Sequence, residues 1–195
     1  MPRLDLRAAN VWLLLAVMLC ALAVQALRLD EALRFDRELV NQGHLWLLLT
    51  GNFAHLGWSH LWLNLAGLGL IGLVFSDSYR WWQWLTVGLL SSLAVTTGLW
   101  YFDPEWRWYV GLSGALHGLF VAGAIQLLRA ERNFALVLLV GIAIKLVYEQ
   151  VVGPSPGTAE LAGGPVVVDA HLFGALGGAL AAVMLLLYRQ VSTKR

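Results

Sequence analysis

The sequence predicts an all-α membrane protein, a single bundle of six spanning helices. Three observations carry that reading. Of the residues, 59% are hydrophobic and 13% charged, with a mean hydropathy of +0.69, whereas a soluble domain carries about a quarter charged residues. The charges fall in short clusters between apolar runs of roughly 15–22 residues, the length that crosses a bilayer. The tryptophans gather at the ends of those runs, where amphipathic indoles collect at headgroup level.

Six spans follow, over residues 11–27, 56–75, 81–100, 113–128, 134–152 and 170–188, all within one domain of residues 1–195. Arg3 and Arg7 precede the first run, and Val24-Gln25-Ala26 resembles a signal cleavage site. Its 17 apolar residues nevertheless exceed the roughly 7–15 of a signal core, so it reads as a retained span. Residues 28–50 form the one long loop, and its end, Leu45-Trp46-Leu47-Leu48-Leu49, is apolar enough to dip into the interface. His60 and Asn64 lie on the second span, and tryptophans mark both ends of the third: Trp81, Trp82 and Trp84 its inner end, Trp100, Trp106 and Trp108 its outer end. The fourth opens at Ser113. The fifth carries Lys145 and Glu149, an i,i+4 pair read as structural or snorkelling rather than as a proton relay. A turn-rich stretch at residues 153–158 leads to the sixth, which opens at His171.

Charge orients the bundle. With both termini in the cytoplasm, the inner segments hold Arg3, Arg7, Arg80, Arg129, Arg132, Arg189, Lys194 and Arg195 against Asp5, Asp77 and Glu131. The outer segments hold only four basic residues, Arg28, Arg34, Arg37 and Arg107, so the Lys/Arg excess points inward. A net charge of +1 with no basic patch excludes nucleic acid as a partner. Cys20 is the only cysteine, so no intramolecular disulfide forms and any metal would rest on His and carboxylates alone. No cofactor and no metal are expected.

The polar residues inside the spans carry the chemistry. Ser113 sits in Gly111-Leu112-Ser113-Gly114-Ala115-Leu116-His117-Gly118, and His171 in Asp169-Ala170-His171-Leu172-Phe173-Gly174. Both fall at the outer ends of their helices. Gly114 and Gly118 form one small-residue face and Gly174 and Gly178 another, and such faces let two backbones approach closely. That approach would bring the Ser113 hydroxyl to a His171 nitrogen, the neighbouring base a weak serine nucleophile needs. Gly111 permits a tight turn that leaves helix-start N–H groups free for an oxyanion. His60 and Asn64, four apart, share a helix face and can both donate hydrogen bonds. For any one of these residues interhelical glue is the better prior; three helices offering serine, base and donors at one depth is the coincidence that lifts the set.

His60-x-x-x-Asn64 on the second span, Gly111-x-Ser113-Gly114 on the fourth and Ala170-His171-x-x-Gly174 on the sixth resemble the rhomboid intramembrane serine proteases, in that family's order and on its spans. The resemblance implies a rhomboid-like six-helix fold and a Ser-His dyad, with Ser113 as nucleophile and His171 as general base. It implies an oxyanion hole from His60, Asn64 and the Ser113 N–H, and a structural role for His55. Substrates would be single-pass transmembrane proteins, taken from the lipid bilayer and cut near small residues. Two departures stand out. Many rhomboids carry Trp-Arg in the first outer loop, where this chain has Trp46-Leu47, which puts the anchoring of that loop in question. Many carry a tyrosine four residues after the serine, where this chain has His117. His117 could stack on His171, act as an alternative base or simply pack; side chains lean toward the helix N-terminus, which favours stacking.

Gly-Leu-Ser-Gly-x-Leu-His-Gly, the short chain and Leu-Leu-Thr-Gly-Asn-Phe-Ala-His before the second span resemble the rhombosortase branch. That likeness implies a bacterial inner membrane, an active site toward the periplasm and substrates with a C-terminal Gly-Gly-type sorting motif, the acyl group passing to water or to an amine. Two readings of other classes stand beside it: a non-catalytic rhomboid-like scaffold that binds transmembrane helices, and a b-type haem protein using pairs among His60, His117 and His171. Asp169 is set aside as a third catalytic member, because such near neighbours on a helix, two residues apart, point in different directions.

Overall fold

The computed structural model describes residues 6–192, most of them helical. Arg3, Asp5, Lys194 and Arg195, which enter the charge reading, lie outside the described residues. In chain order the elements are α1 (Leu6–Ala26), α2 (Asp30–Leu33), β1 (Phe35–Asp36), α3 (Arg37–Asn41), α4 (Leu47–Thr50), α5 (Trp58–Phe75) and α6 (Trp81–Phe102). Then come β2 (Trp108–Tyr109), α7 (Ser113–Leu127), α8 (Arg132–Val152), α9 (Thr158–Ala162) and α10 (Val168–Ser192). Among the described residues, α1, α5, α6, α8 and α10 are long and apolar enough to cross a membrane, and α7 is a shorter apolar helix. The chain is therefore an all-α, multi-pass membrane bundle.

The shortness of α7 matters for the site. Its 15 residues rise about 22 Å at ~1.5 Å each, less than the ~30 Å hydrocarbon thickness. Gly114, Ala115, Leu116, Gly118, Val121, Ala122, Gly123 and Ala124 are all buried, so α7 is walled in by other helices instead of lipid. A helix screened in this way need not span, and its N-terminal serine can sit below the surface of the bundle.

Small residues set how closely α10 lies on α7. A Cβ on Gly174 would overlap the Gly114 carbonyl, and one on Gly178 the Gly118 carbonyl. On the neighbouring face, a Cβ on Gly177 would meet Ala94 Cβ of α6 at 2.5 Å. These backbones touch because nothing larger than hydrogen stands between them. In contrast α8 packs shallowly: Ala135 and Glu149 are its only buried residues.

The segment read as one long loop over residues 28–50 is a folded subassembly. Phe35 pairs with Tyr109 and Asp36 with Trp108 in a two-stranded antiparallel ladder, too short to leave an alternating pattern in the sequence. Phe35, Val40, Leu47, Val95, Leu99, Tyr109 and Ala170 form one core beneath it. Leu45 and Trp46 are exposed, as an apolar tip would be, whereas Leu47 turns inward.

Arg37 answers the question left by the missing Trp-Arg pair. Its guanidinium donates to the carbonyls of Leu99 (2.7 Å), Trp100 (2.6 Å), Asp103 (2.8 Å) and Trp106 (3.2 Å). The first two belong to the last turn of α6, where the Leu99 carbonyl also accepts from the Asp103 N–H at 3.2 Å, so one side chain helps cap the helix and ties the loop to it. Trp100 Nε1 adds a bond to Asn41 Oδ1 at 2.9 Å.

Candidate active site

Ser113 is the first residue of α7, delivered by a turn at Gly111 whose φ of +128° suits glycine. The turn is pinned on two sides. Tyr109 Oη donates to the Gly111 carbonyl (2.7 Å), and the Gly111 N–H donates to the Gly51 carbonyl (3.1 Å). A third neighbour is His60: a Cβ at Gly111 would lie 2.7 Å from its Cε1. Only glycine satisfies both the backbone angle and that contact. No side chain caps the start of α7, so its leading N–H groups remain available for negative charge.

His171 reaches the serine from α10, with 3.1 Å between His171 Nε2 and Ser113 Oγ. The imidazole is buried, and its Nδ1 lies 2.9 Å from Glu149 Oε2 on α8. An ionised carboxylate only accepts, so Nδ1 carries the proton and Nε2 presents its lone pair to the hydroxyl. This is the tautomer that a base acting on Ser113 needs. Asp169, by contrast, lies near Asp103 and takes no part in this contact.

The Glu149 contact corrects the sequence expectation for Lys145 and Glu149. The pair does form, with Lys145 Nζ 2.6 Å from Glu149 Oε1, but the other carboxylate oxygen is committed to His171. Glu149 is 3% exposed, so this is a buried ion pair within the site and not a snorkelling one.

His117 stacks on His171, with ring centroids 4.1 Å apart and planes 17° from parallel. Its Nδ1 donates to the Ser113 carbonyl at 2.8 Å, so the ring addresses the serine's backbone and not its hydroxyl. The ligand atoms of His117, Glu149 and His171 lie within 4.8 Å of one another. Nearly parallel stacked rings, however, aim their lone pairs side by side and cannot converge on one ion. The same stacking leaves no gap for a porphyrin between His117 and His171.

On α5, His60 Nδ1 accepts from the Leu56 N–H at 3.3 Å, which leaves the Nε2–H to donate. Asn64 is buried, and its Nδ2 finds no partner among the described residues. A buried amide donor without a partner is expensive in a resting protein and is the feature expected of a group held ready for a transient oxyanion. Behind them His55 meets His60 edge to face at 5.1 Å and donates from Nδ1 to the Phe53 carbonyl. Burial and the neighbouring His60 lower the His55 pKa to about 4, so this supporting ring is neutral.

Serine and imidazole thus meet at an uncapped helix start next to His60, and Asn64, one turn further along α5, carries the orphaned amide. A family model, the Rhomboid domain, matches residues 42–188. The chain belongs to the rhomboid family. No curated protein and no solved structure matches it. In this rhomboid, Gly111 shapes the turn, and Gly114 and Gly174 supply the contact that sets the Ser113–His171 distance. Sequence reasoning missed Glu149, Arg37 and Tyr109. Only Glu149 had left a signal, since a carboxylate in an apolar helix needs a partner and a reason.

Proposed function

We propose that this rhomboid is an intramembrane serine endopeptidase acting on single-pass membrane proteins. The observation that carries the reading is the 3.1 Å bond from Ser113 to a His171 nitrogen held as acceptor. Ser113 Oγ attacks the scissile carbonyl while its proton passes to His171 Nε2. His60, Asn64 and the first N–H groups of α7 hold the oxyanion. Collapse returns that proton to the leaving amine, giving an acyl-enzyme. A water, deprotonated by His171 in turn, then releases the new carboxyl end. The base must be neutral, so turnover falls on acidification.

A short α7 walled in by its neighbours suits a substrate arriving from the bilayer and unwinding near small residues. The rhombosortase likeness narrows the substrates to those with a C-terminal Gly-Gly-type motif, and the place to the periplasmic face of a bacterial inner membrane with both termini cytoplasmic. Intact-mass analysis after a fluorophosphonate tests the core of the proposal. One adduct is expected on the wild type and none on Ser113→Ala or His171→Ala. A folded wild type that takes no adduct would favour the helix-binding scaffold instead.

A further inference from the structure

On the reading of Ser113 and His171 as nucleophile and base, we infer that Glu149 is the positioning residue of that base, and that Lys145 in turn fixes Glu149. The site then works as a Ser113–His171–Glu149 relay of orientation, not as a pair.

The argument begins with α8. This helix buries only two side chains, Ala135 and Glu149. A carboxylate buried in a membrane helix is costly unless paired, and both oxygens of Glu149 are engaged: Oε1 by Lys145 Nζ at 2.6 Å, Oε2 by His171 Nδ1 at 2.9 Å. Lys145 keeps a partly exposed stem, its side chain 38% accessible, while its Nζ is buried against the carboxylate as the counter-charge. A structural ion pair would be complete with Lys145 alone. The second oxygen, spent on the base 22 residues away, is what a structural account leaves without a reason.

The consequence for chemistry is specific. Without a partner, a neutral imidazole distributes its proton between Nδ1 and Nε2. With the proton on Nε2, His171 would present an N–H to the serine hydroxyl and could not accept from it. Glu149 holds the proton on Nδ1. As Ser113 attacks, it also faces the imidazolium that forms, stabilising that charge without taking the proton. The remaining neighbours of the ring cannot substitute. His117 lies on its face, and Asp169 lies two residues before it on the same helix, beside Asp103.

The test uses the full-length protein in detergent, a fluorophosphonate as probe and histidine labelled with nitrogen-15. Glu149→Gln keeps the shape but offers an amide. It should lower the maximal inactivation rate by roughly 10²- to 10⁴-fold, the range seen when an orienting carboxylate is lost. The probe concentration giving half-maximal rate should stay within about twofold. Glu149→Asp, whose carboxylate is one carbon short, should fall between. Spectra should show the wild-type His171 as the Nδ1–H tautomer and the Glu149→Gln protein shifted toward Nε2–H. A wild type with His171 in the Nε2–H form would overturn the inference even if no variant folds. Normal inactivation of a folded Glu149→Gln protein would overturn it while leaving the protease reading intact. A wild type that never labels at Ser113 would sink the protease reading and this inference together, so the failures are distinguishable.

Discussion

Replacing Gly174 by alanine perturbs the serine–histidine distance without touching either residue. A Cβ there would lie 2.5 Å from the Gly114 carbonyl carbon, with the carbonyl oxygen nearer still. Carbon atoms in contact settle at about 3.5 Å, so α10 and α7 must part by about 1 Å. The listener to that shift is close by: Ser113 precedes Gly114, and His171 is one helical turn before Gly174. The 3.1 Å bond between Nε2 and Oγ would open to about 4 Å, beyond hydrogen-bond reach. A misplacement of that size costs about 10²-fold in rate, whereas overpacking of this kind costs about 1–3 kcal/mol of stability. The variant should therefore fold and label slowly. The fluorophosphonate inactivation rate is the assay, with Gly141→Ala as control, because a Cβ at Gly141 meets nothing within 4 Å. Wild-type labelling of folded Gly174→Ala, or an equal loss in Gly141→Ala, would refute the claim that this glycine contact sets the catalytic distance.

Two further outcomes concern the fold around the site. Arg37→Ala removes four charge-assisted bonds to the end of α6 and the turn that follows it. With water replacing part of the loss, stability should fall by on the order of 3 kcal/mol. Arg37→Lys should not restore it, since one ammonium cannot reach four carbonyls in a fork; a melting temperature unchanged in detergent would count against this cap. Asp103 has its pKa pushed up to about 6 by burial and by the Asp169 and Glu105 carboxylates. Between its ordinary 3.8 and about 6 the folded state binds the proton first, so this group's contribution to stability declines as pH rises through that window and stays low above it. His55 acts in the opposite sense: from 6.5 down to about 4 the unfolded state protonates first, and stability falls on acidification. Asp103→Asn should thus melt higher than wild type at pH 7 and lose stability more steeply toward pH 4. A lower melting temperature at pH 7 would show that the charged Asp103 is doing something else.

The spans were legible because bilayer chemistry forces long apolar runs, and the site because its glycines are spaced at helical intervals around Ser113 and His171. What escaped has a common physical cause. The ladder of Phe35 and Asp36 with Trp108 and Tyr109 is two residues long, below any periodicity. Arg37 sits among Arg34, Asp36 and Glu38, where one more charge in a loop attracts no notice, and only the folded path brings α6 above it. The Lys145–Glu149 pair was visible as i,i+4 neighbours. Its third partner was not, because helical spacing says which residues share a face of α8 but not which helix that face meets. α7, by contrast, was readable in both length and start: the span read over residues 113–128 is the helix Ser113–Leu127.

Two kinds of contact hold Ser113 and His171, and they differ in stiffness. The serine–histidine distance is set where α7 and α10 touch backbone to backbone, and such a contact has no side chain to rotate and little room to slide. The orientation of the base, on the inference above, comes from α8, which buries only Ala135 besides Glu149 itself. A helix held by so little is the one that can move most cheaply. If α8 shifts to admit a substrate, the serine and histidine stay in register while the Glu149 bond lengthens, and the base loses its fixed tautomer until α8 returns. Catalytic competence would then follow closure of α8 around a bound segment, with nothing required of α7 or α10.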